Sequence, residues 1–325
     1  VKNYLVRQYQ QNDYKEWNSF IGKAKNATFL FYRDFMEYHK AQFEDFSLLV
    51  YENQQLIAVL PANQISDRVF SHLGLTYGGL VYGEKTRLAT VLIIFRTILL
   101  FLKDQKIETL ELKMLPGFYA DFHAEEINYI LFLAQAKLIR RDTFAVIALQ
   151  KKFLIAKGRM EGVAKGIKMD LIIKEESNFE MFWNQILIPN LEKAHHAKPV
   201  HTLIEIKNLH QKFPSNIRQF NVYYKEKIVA GTTIFETKNV AHAQYISGNS
   251  DKNILGSVDF LYHHLITSVF KNKAYFDFGT STINQGTNLN HGLSYWKESF
   301  GANIAVQDFY ELATTNSHLL ENVLI

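Results

Sequence analysis

The segment Tyr275-Phe276-Asp277-Phe278-Gly279-Thr280-Ser281, followed by Asn290-His291-Gly292-Leu293 and by Trp296-Lys297-Glu298-Ser299-Phe300-Gly301-Ala302, reads as strand, loop and helix. Ala274 to Phe278 is an aromatic run interrupted by one carboxylate, the pattern of a buried strand. The Gly, Ser, Thr and Asn residues after it favour a loop. From Leu293 to Phe300 the positions i, i+3, i+4 and i+7 are Leu293, Trp296, Lys297 and Phe300. Lys297 therefore sits on the apolar stripe of a helix, where a solvated lysine is not expected. Asp277 sits near the C-terminal end of its strand, the end at which open α/β sheets bind ligands.

Upstream, the pattern predicts strands over Gln219 to Tyr224, Ile228 to Phe235 and Val240 to Ser247, the first two joined by a hairpin at Lys225-Glu226-Lys227. A polar loop (Gly248 to Asn253) and a helix over Ser257 to Phe270 complete the approach to Ala274. A strand over Ile304 to Tyr310 follows the last helix. Earlier still come a strand over Ile167 to Lys174 and helices over Phe179 to Ala194 and Thr202 to Lys212. The first half runs in the same order. Helices are predicted near Tyr14 to Ile21 and Phe29 to His39. A hairpin of Phe46 to Glu52 and Leu56 to Ala62 turns at Asn53-Gln54-Gln55. Then follow a strand (Arg68 to His72), a glycine-rich loop (Gly74 to Gly79), and a long apolar helix (Thr86 to Lys103). A strand (Thr109 to Lys113), a helix (Glu125 to Lys137) and a strand (Thr143 to Leu149) close the half. Such an order, given twice, predicts a structural repeat. The expected fold is α/β with mixed sheets in two tandem units, 1–150 and 151–325. The basic segment Lys151 to Lys168 marks the boundary, as a solvated amphipathic helix or as a ligand-facing surface.

A chain of 325 residues suits two domains. The absence of cysteine excludes disulfides, Cys-type zinc sites and thiol nucleophiles. A net charge of +4 fits an anionic ligand, and no dense Lys/Arg block argues for nucleic acid by itself. Val1 to Gln10 lacks the apolar core of a signal peptide. The most apolar stretch, Leu88 to Leu102, contains Arg96 and is too short to span a bilayer, so a buried helix and a cytoplasmic protein are expected. No Gly-x-Ser-x-Gly elbow, P-loop, Gly-x-Gly-x-x-Gly fingerprint or His-Glu-x-x-His pair occurs, which removes the common hydrolase, NTPase, dehydrogenase and zinc protease readings. Nothing in the sequence signals a metal.

The order hairpin, third strand, loop, long helix, strand, helix, strand is similar to the GNAT (Gcn5-related N-acetyltransferase) fold, and two such units resemble the FemAB family of aminoacyl transferases. The resemblance is carried by Leu60-Pro61-Ala62-Asn63 with His72 to Leu80, by His196 to His201 with Phe213 to Ile217, and by the segment Asp277 to Ala302. It implies an N-acyltransferase acting on an amine of a cell-envelope, sugar or peptide precursor. The implied donor is acyl-CoA such as acetyl-CoA, or an aminoacyl-tRNA. GNAT enzymes that use acyl-CoA carry a Gln/Arg-x-x-Gly-x-Gly/Ala loop at a helix start for the pyrophosphate. Here that place reads Asn253-Ile254-Leu255-Gly256-Ser257-Val258, of which Gly256 fits and Asn253 and Val258 do not. A non-catalytic, degenerate GNAT-like binding module is the alternative of another class.

The resemblance and the residues together give a candidate set. Lys297 is expected to stabilise negative charge or hold a phosphate, against a lysine snorkelling past Trp296. Asp277 is a candidate base, against a carboxylate capping the Gly-Thr-Ser loop. Tyr245, Ser247 and Asn249, at the end of the third strand of the second unit, would border the donor together with Gly256 and Ser257. Tyr77 and Tyr82, beside the glycine-rich loop, would line an acceptor pocket, against plain aromatic packing. His196, His201, Ser281 and Asn290 would contact substrate. Pro199 lies between the two histidines and argues against a helical metal pair.

Overall fold

The computed structural model describes residues 2–195 and 197–325, so the candidate His196 lies outside the described residues. Contacts divide the chain into two compact units, residues 1–142 with 306–325, and residues 143–305. The division falls inside a strand rather than in the basic segment after 150. The reason is visible in the pairing, because the strand over Lys137–Ala148 ends against the second unit's sheet while the last strand of the chain pairs in the first.

The first unit contains β1 (Tyr4–Gln8), α1 (Tyr14–Ile21), α2 (Arg33–Met36), β2 (Glu44–Asp45), β3 (Leu48–Glu52), β4 (Gln55–Leu60), β5 (Asn63–Ile65), β6 (Arg68–Phe70), β7 (Val81–Tyr82), α3 (Leu88–Asp104), β8 (Thr109–Lys113) and α4 (Glu126–Leu133). Strands β1, β3, β4 and β7 form one antiparallel sheet. Strand β6 pairs parallel with β8, and β5 and β2 extend that side. The β3–β4 turn places Asn53 and Gln54 at φ 47° and 72°, the left-handed pair of a tight hairpin. Val91, Ile94, Phe95, Ile98, Leu99 and Leu102 of α3 pack with Leu48, Val50 and Leu110 into one core. The apolar stretch is thus a core helix, and no described helix is long and apolar enough to cross a membrane. The helix expected over Phe29 to His39 is broken. Tyr32 is extended (φ −66°, ψ 142°) between a 3₁₀ turn capped by Thr28 and the short α2.

The chain continues through β9 (Lys137–Ala148), α5 (Lys157–Lys168), β10 (Ile172–Glu176), α6 (Glu180–Phe182), α7 (Ile188–His195), α8 (Leu203–Lys212), β11 (Ile217–Tyr224), β12 (Lys227–Glu236), β13 (Val240–Gly248), α9 (Lys252–Leu255), α10 (Ser257–His264), β14 (Tyr275–Thr280), β15 (Thr282–Ile283), β16 (Asn288–Leu289), α11 (His291–Glu298) and β17 (Asn303–Ala313). In the second unit the strand order is β10-β11-β12-β13-β14, followed by the end of β9. All pairs are antiparallel except β13 with β14. The β11–β12 turn repeats the left-handed pair, with Lys225 and Glu226 at φ 45° and 64°. The strand expected from Ile167 begins only at Ile172, because the basic segment is the helix α5 and Asp170 (φ 50°) ends it.

Helix α5 packs closely on the start of α10. A Cβ on Gly162 would lie 2.1 Å from Asp259 Oδ2, and one on Gly166 would lie 2.6 Å from Phe260 Cβ. From the other side, a Cβ on Gly256 would meet the Gly162 carbonyl oxygen at 2.0 Å, and Gly256 is left-handed at φ +66°. Space and backbone conformation thus both demand glycine at 256. Gly256→Ala is expected to lose about 3 kcal/mol of stability, the combined scale of a left-handed alanine and an overpacked contact. Urea unfolding of the variant measures it.

Candidate active site

Strands β13 and β14 run side by side for three residues only. Val240 pairs with Tyr275, Ala241 with Phe276 and His242 with Asp277. Beyond that point β13 continues to Gly248 and β14 to Thr280 without pairing to one another. The two arms of this fork leave a run of main chain on β13 with no strand partner on that side among the described residues. The other side of β13 is held by β12, with a bulge at Gln244 between the pairs Thr233–Tyr245 and Ile234–Ala243.

Side chains, not a further strand, satisfy the β14 arm. Asp277, fully buried, accepts the Gly279 N–H through Oδ1 at 2.7 Å and is bonded through Oδ2 to His242 Nδ1 at 2.8 Å. Gly279 is left-handed (φ +71°) and turns its carbonyl toward α11, where Lys297 Nζ donates to it at 2.9 Å and to the Thr280 carbonyl at 2.6 Å. Lys297 is only 2% exposed. Burial draws its ammonium down to about 8, against a smaller opposing pull from Asp277. Lys297 and Asp277 are thus brought together at Gly279, one on its carbonyl and the other on its N–H, beside the vertex of the fork. Neither lines the cavity described next.

That cavity, of about 490 Å³, opens beside the β13 arm. Its walls are Ile246, Ser247 and Gly248 of β13, Asn290, Gly292, Leu293 and Trp296 around α11, Asn190 of α7, Arg159 of α5, and Lys252, Asn253, Val258 and Asp259. Asn190 donates to Ser247 Oγ at 2.9 Å, and Asn290 caps α11 through the Leu293 N–H at 3.1 Å. Arg159 and Trp296 both donate to Asp259 Oδ1, at 2.9 and 3.2 Å. Burial raises the Asp259 carboxyl above its ordinary value despite the opposing charge of Arg159.

Of the residues singled out in the sequence, Ser247 and Asn290 line this cavity. Asn249 forms the turn after β13, accepting the Asp251 N–H at 3.0 Å. Ser281, the residue after Thr280, is buried, and its carbonyl accepts the Asn290 N–H at 2.9 Å. Tyr245 is buried, its hydroxyl bonded to His201 Nδ1 at 2.7 Å, and burial pushes it up to about 12. His201 is thereby buried against Tyr245 of β13 and does not line the cavity. Ser257 is fully buried. Gly256 belongs to the α5–α10 contact. The expectation for Tyr77 and Tyr82 is corrected. Both are core residues, their hydroxyls given to Thr28 at 2.9 Å and to Glu126 at 2.7 Å, so neither lines an acceptor pocket. The partners are 49 and 44 residues away, which is why the local text hid them. His242, Asn190, Arg159 and Lys252 were not singled out. Gly162-x-x-x-Gly166, in the helix that carries Arg159, is the one local signal that could have announced a close helix contact.

The start of α10, where a coenzyme A pyrophosphate would be held, does not fit that group. The backbone of α5 lies against Gly256, and the Asp259 carboxylate stands in the first turn. An anion would meet a carboxylate there instead of free N–H groups. Among the described residues no group of three or more His, Asp or Glu side chains could hold a metal ion.

The first unit repeats the fork and closes it. Arg68, Val69 and Phe70 pair in parallel with Thr109, Leu110 and Glu111. The chain then returns into the gap. Ser71 N donates to the Glu111 carbonyl, Ser71 Oγ accepts the Lys113 N–H, and Gly78 N donates to the Lys113 carbonyl, each at 2.8 Å. A Cβ on Gly78 would lie 1.7 Å from the Ser71 carbonyl oxygen. The glycine-rich loop thus fills in the first unit the place that stays open in the second.

No protein-family model and no curated protein matches the sequence. Solved structures do match. The structure of FemX superposes with a TM-score of 0.66 over 94% of this chain and 96% of that one, at 9% identity. The fold is FemAB-like. L-PGS from Bacillus licheniformis gives a TM-score of 0.55 at 11% identity, over 79% of this chain and 81% of that one. A conserved protein of unknown function from Bacteroides thetaiotaomicron gives 0.53 at 11% identity, over 94% and 99%. These likenesses support the FemAB-like fold, with its GNAT-like units, and leave the activity to the site.

The buried ammonium makes a pH signature. The Lys297 proton is held less tightly in the folded chain (about 8) than at its ordinary value of 10.5. Between those values the unfolded chain binds more protons, so this group's contribution to stability rises with pH. Relative to Lys297→Met, the wild-type protein is expected to gain up to about 3 kcal/mol from pH 8 to 10.5. Chemical denaturation of both proteins across that window measures the difference, which cancels the other titrating groups.

Proposed function

We propose that the second unit is an acyl-transferring site of FemAB-like type, which passes an acyl or aminoacyl group to an amine of a cell-envelope, sugar or peptide precursor. The observation that carries this reading is the open fork with a cavity on its β13 arm. Acyl transfer to an amine needs a donor held in a cleft and stabilisation of the tetrahedral oxyanion. Unpaired main chain on β13 offers N–H groups for the oxyanion. The cavity offers a place for the donor.

In this reading Lys297 and Asp277 are positioning residues. They fix the β14 arm so that the fork stays open without another strand, and they do not touch the reacting atoms. The proposed donor is an aminoacyl-tRNA rather than acyl-CoA. Three asparagines, each with donor and acceptor atoms, an indole and two cationic side chains suit the base and backbone of a terminal nucleotide. The first unit serves as scaffold, its own fork being occupied by Ser71 to Gly78.

A second reading, a binding module without turnover, is favoured by the burial of Lys297 and Asp277, which leaves no ionisable side chain of the pair free to accept the amine proton. One experiment separates the two. The protein is incubated with charged tRNA or acetyl-CoA and a panel of amine acceptors, and product is followed by mass spectrometry. Transfer from charged tRNA and none from acetyl-CoA is expected. In Gly292→Phe, whose added side chain meets only Asn290 Oδ1 within 4 Å at its Cβ, the cavity is filled. Transfer is expected to fall by at least about tenfold, roughly 1.4 kcal/mol in the barrier, with folding retained. Binding of charged tRNA without product from any acceptor supports the module.

A further inference from the structure

An amine that attacks an acyl group must lose a proton, and Asp277 and Lys297 are both engaged with the main chain. The vertex of the open fork holds one further ionisable group. His242 is bonded through Nδ1 to Asp277 Oδ2 at 2.8 Å, and the other carboxylate oxygen accepts the Gly279 N–H. A carboxylate offers only lone pairs, so the ring proton sits on Nδ1 and Nε2 keeps a bare lone pair. Nε2 has no hydrogen-bond partner among the described residues and is not sealed from solvent. The other charge at the vertex is Lys297, spent on two carbonyls. On β12 the neighbour of His242 is the uncharged Phe235, whose ring meets His201 with centroids 5.9 Å apart.

The bulge at Gln244 decides which way the imidazole faces. His242 and Ser247 are five residues apart, and in a regular strand they would point to opposite faces. Across the bulge their β12 partners are Phe235 and Gly231, four apart, so both stand on one face of the sheet. Ala241, Ala243 and Ile246 pack toward the core on the other. Ser247 lines the cavity. The ring leans toward the open end of the fork, since a Cβ on Gly279, two residues beyond Asp277, would lie 3.2 Å from His242 Cε1. The closed fork of the first unit has Phe70 and Glu111 at its vertex instead. An imidazole thus stands where the fork is open and is missing where the chain fills it.

We infer that His242 takes the proton of the acceptor amine and returns it to the leaving oxygen of the donor, with Asp277 fixing its ring. The step rests on the transferase function proposed above. The amine nitrogen attacks the acyl carbon, and a C–N bond forms as the ester C–O bond to the ribose breaks. The N–H proton passes to Nε2, the imidazolium so formed is paired with the Asp277 carboxylate, and the proton then goes to the ribose oxygen. His242 and Ile246 face Phe235 and Thr232, three residues apart, or about 10 Å along the strand. The leaning ring covers part of that length, and water in the unpaired edge of β13 carries the proton over the rest.

Single-turnover transfer from charged tRNA by the full chain and by His242→Gln, followed from about pH 5 to 9, tests it. The variant is expected to bind charged tRNA as the wild type does and to transfer at least about a hundredfold more slowly at the alkaline end. The ratio of the two rates cancels the titration of the amine itself. It should shrink as the pH falls, because protonation takes the Nε2 lone pair from the wild type and removes nothing from the variant. Nitrogen NMR of the wild-type protein with labelled histidine should show His242 with its proton on Nδ1 and a bare Nε2. A folded variant whose rate ratio to wild type is the same at every pH overturns the inference and leaves the transferase function standing. So does an Nε2–H tautomer, which is read in the wild-type protein whether or not the variant folds. No transfer by the wild type to any acceptor overturns the transferase function, and the inference with it.

Discussion

Three bonds to the main chain of Gly279 and Thr280 hold the second unit's fork open. Asp277 takes the Gly279 N–H, Lys297 takes the Gly279 carbonyl, and Lys297 also takes the Thr280 carbonyl. Strands that part inside a sheet leave backbone groups that must find partners, since a buried unpaired group costs about 1–3 kcal/mol. In the first unit the chain itself returns to supply them through Ser71 and Gly78. In the second, two charged side chains supply them, and the facing edge of β13 is left without a strand. Removing either side chain would leave the main-chain groups it satisfies without that partner, Gly279 N–H for Asp277 and the Gly279 and Thr280 carbonyls for Lys297. The same contacts leave the β13 edge open, and the cavity lies beside that edge.

Much of this was written in the segment from Tyr275 to Ala302. A carboxylate in an aromatic strand and a lysine on an apolar helical stripe cannot be left unpaired, and both are spent on Gly279 and its neighbours. The hairpins, the long helices and their order were equally legible, because tight turns and 3.6-residue periodicity are local properties. The fork was not. Its vertex is the Asp277–His242 pair, set by the register of β13 against β14, and no local pattern announces where two parallel strands stop pairing. The acceptor roles expected for Tyr77 and Tyr82 failed for the same reason, since Thr28 and Glu126 claim their hydroxyls across the fold.

Gly256 shows how one residue type supports two readings. In the sequence it resembles the glycine of a phosphate loop. In the structure it is the floor of a helix contact, with the Gly162 carbonyl packed against it. That contact, with Asp259 in the same turn, separates the donor proposed for this chain from the coenzyme that the GNAT-like fold suggests. The basic helix α5, which the sequence left between a solvated face and a ligand-facing one, does both. Its glycine face packs on α10, and Arg159 reaches the cavity.

The account rests on the donor lying against the open β13 arm. A crystal structure with a non-hydrolysable aminoacyl-adenosine tests this most directly. The account predicts the adenosine between Asn190, Asn290 and Trp296, with the acyl carbonyl directed at the main chain of Ile246 to Gly248. An analogue bound elsewhere, with that cavity empty, would contradict it.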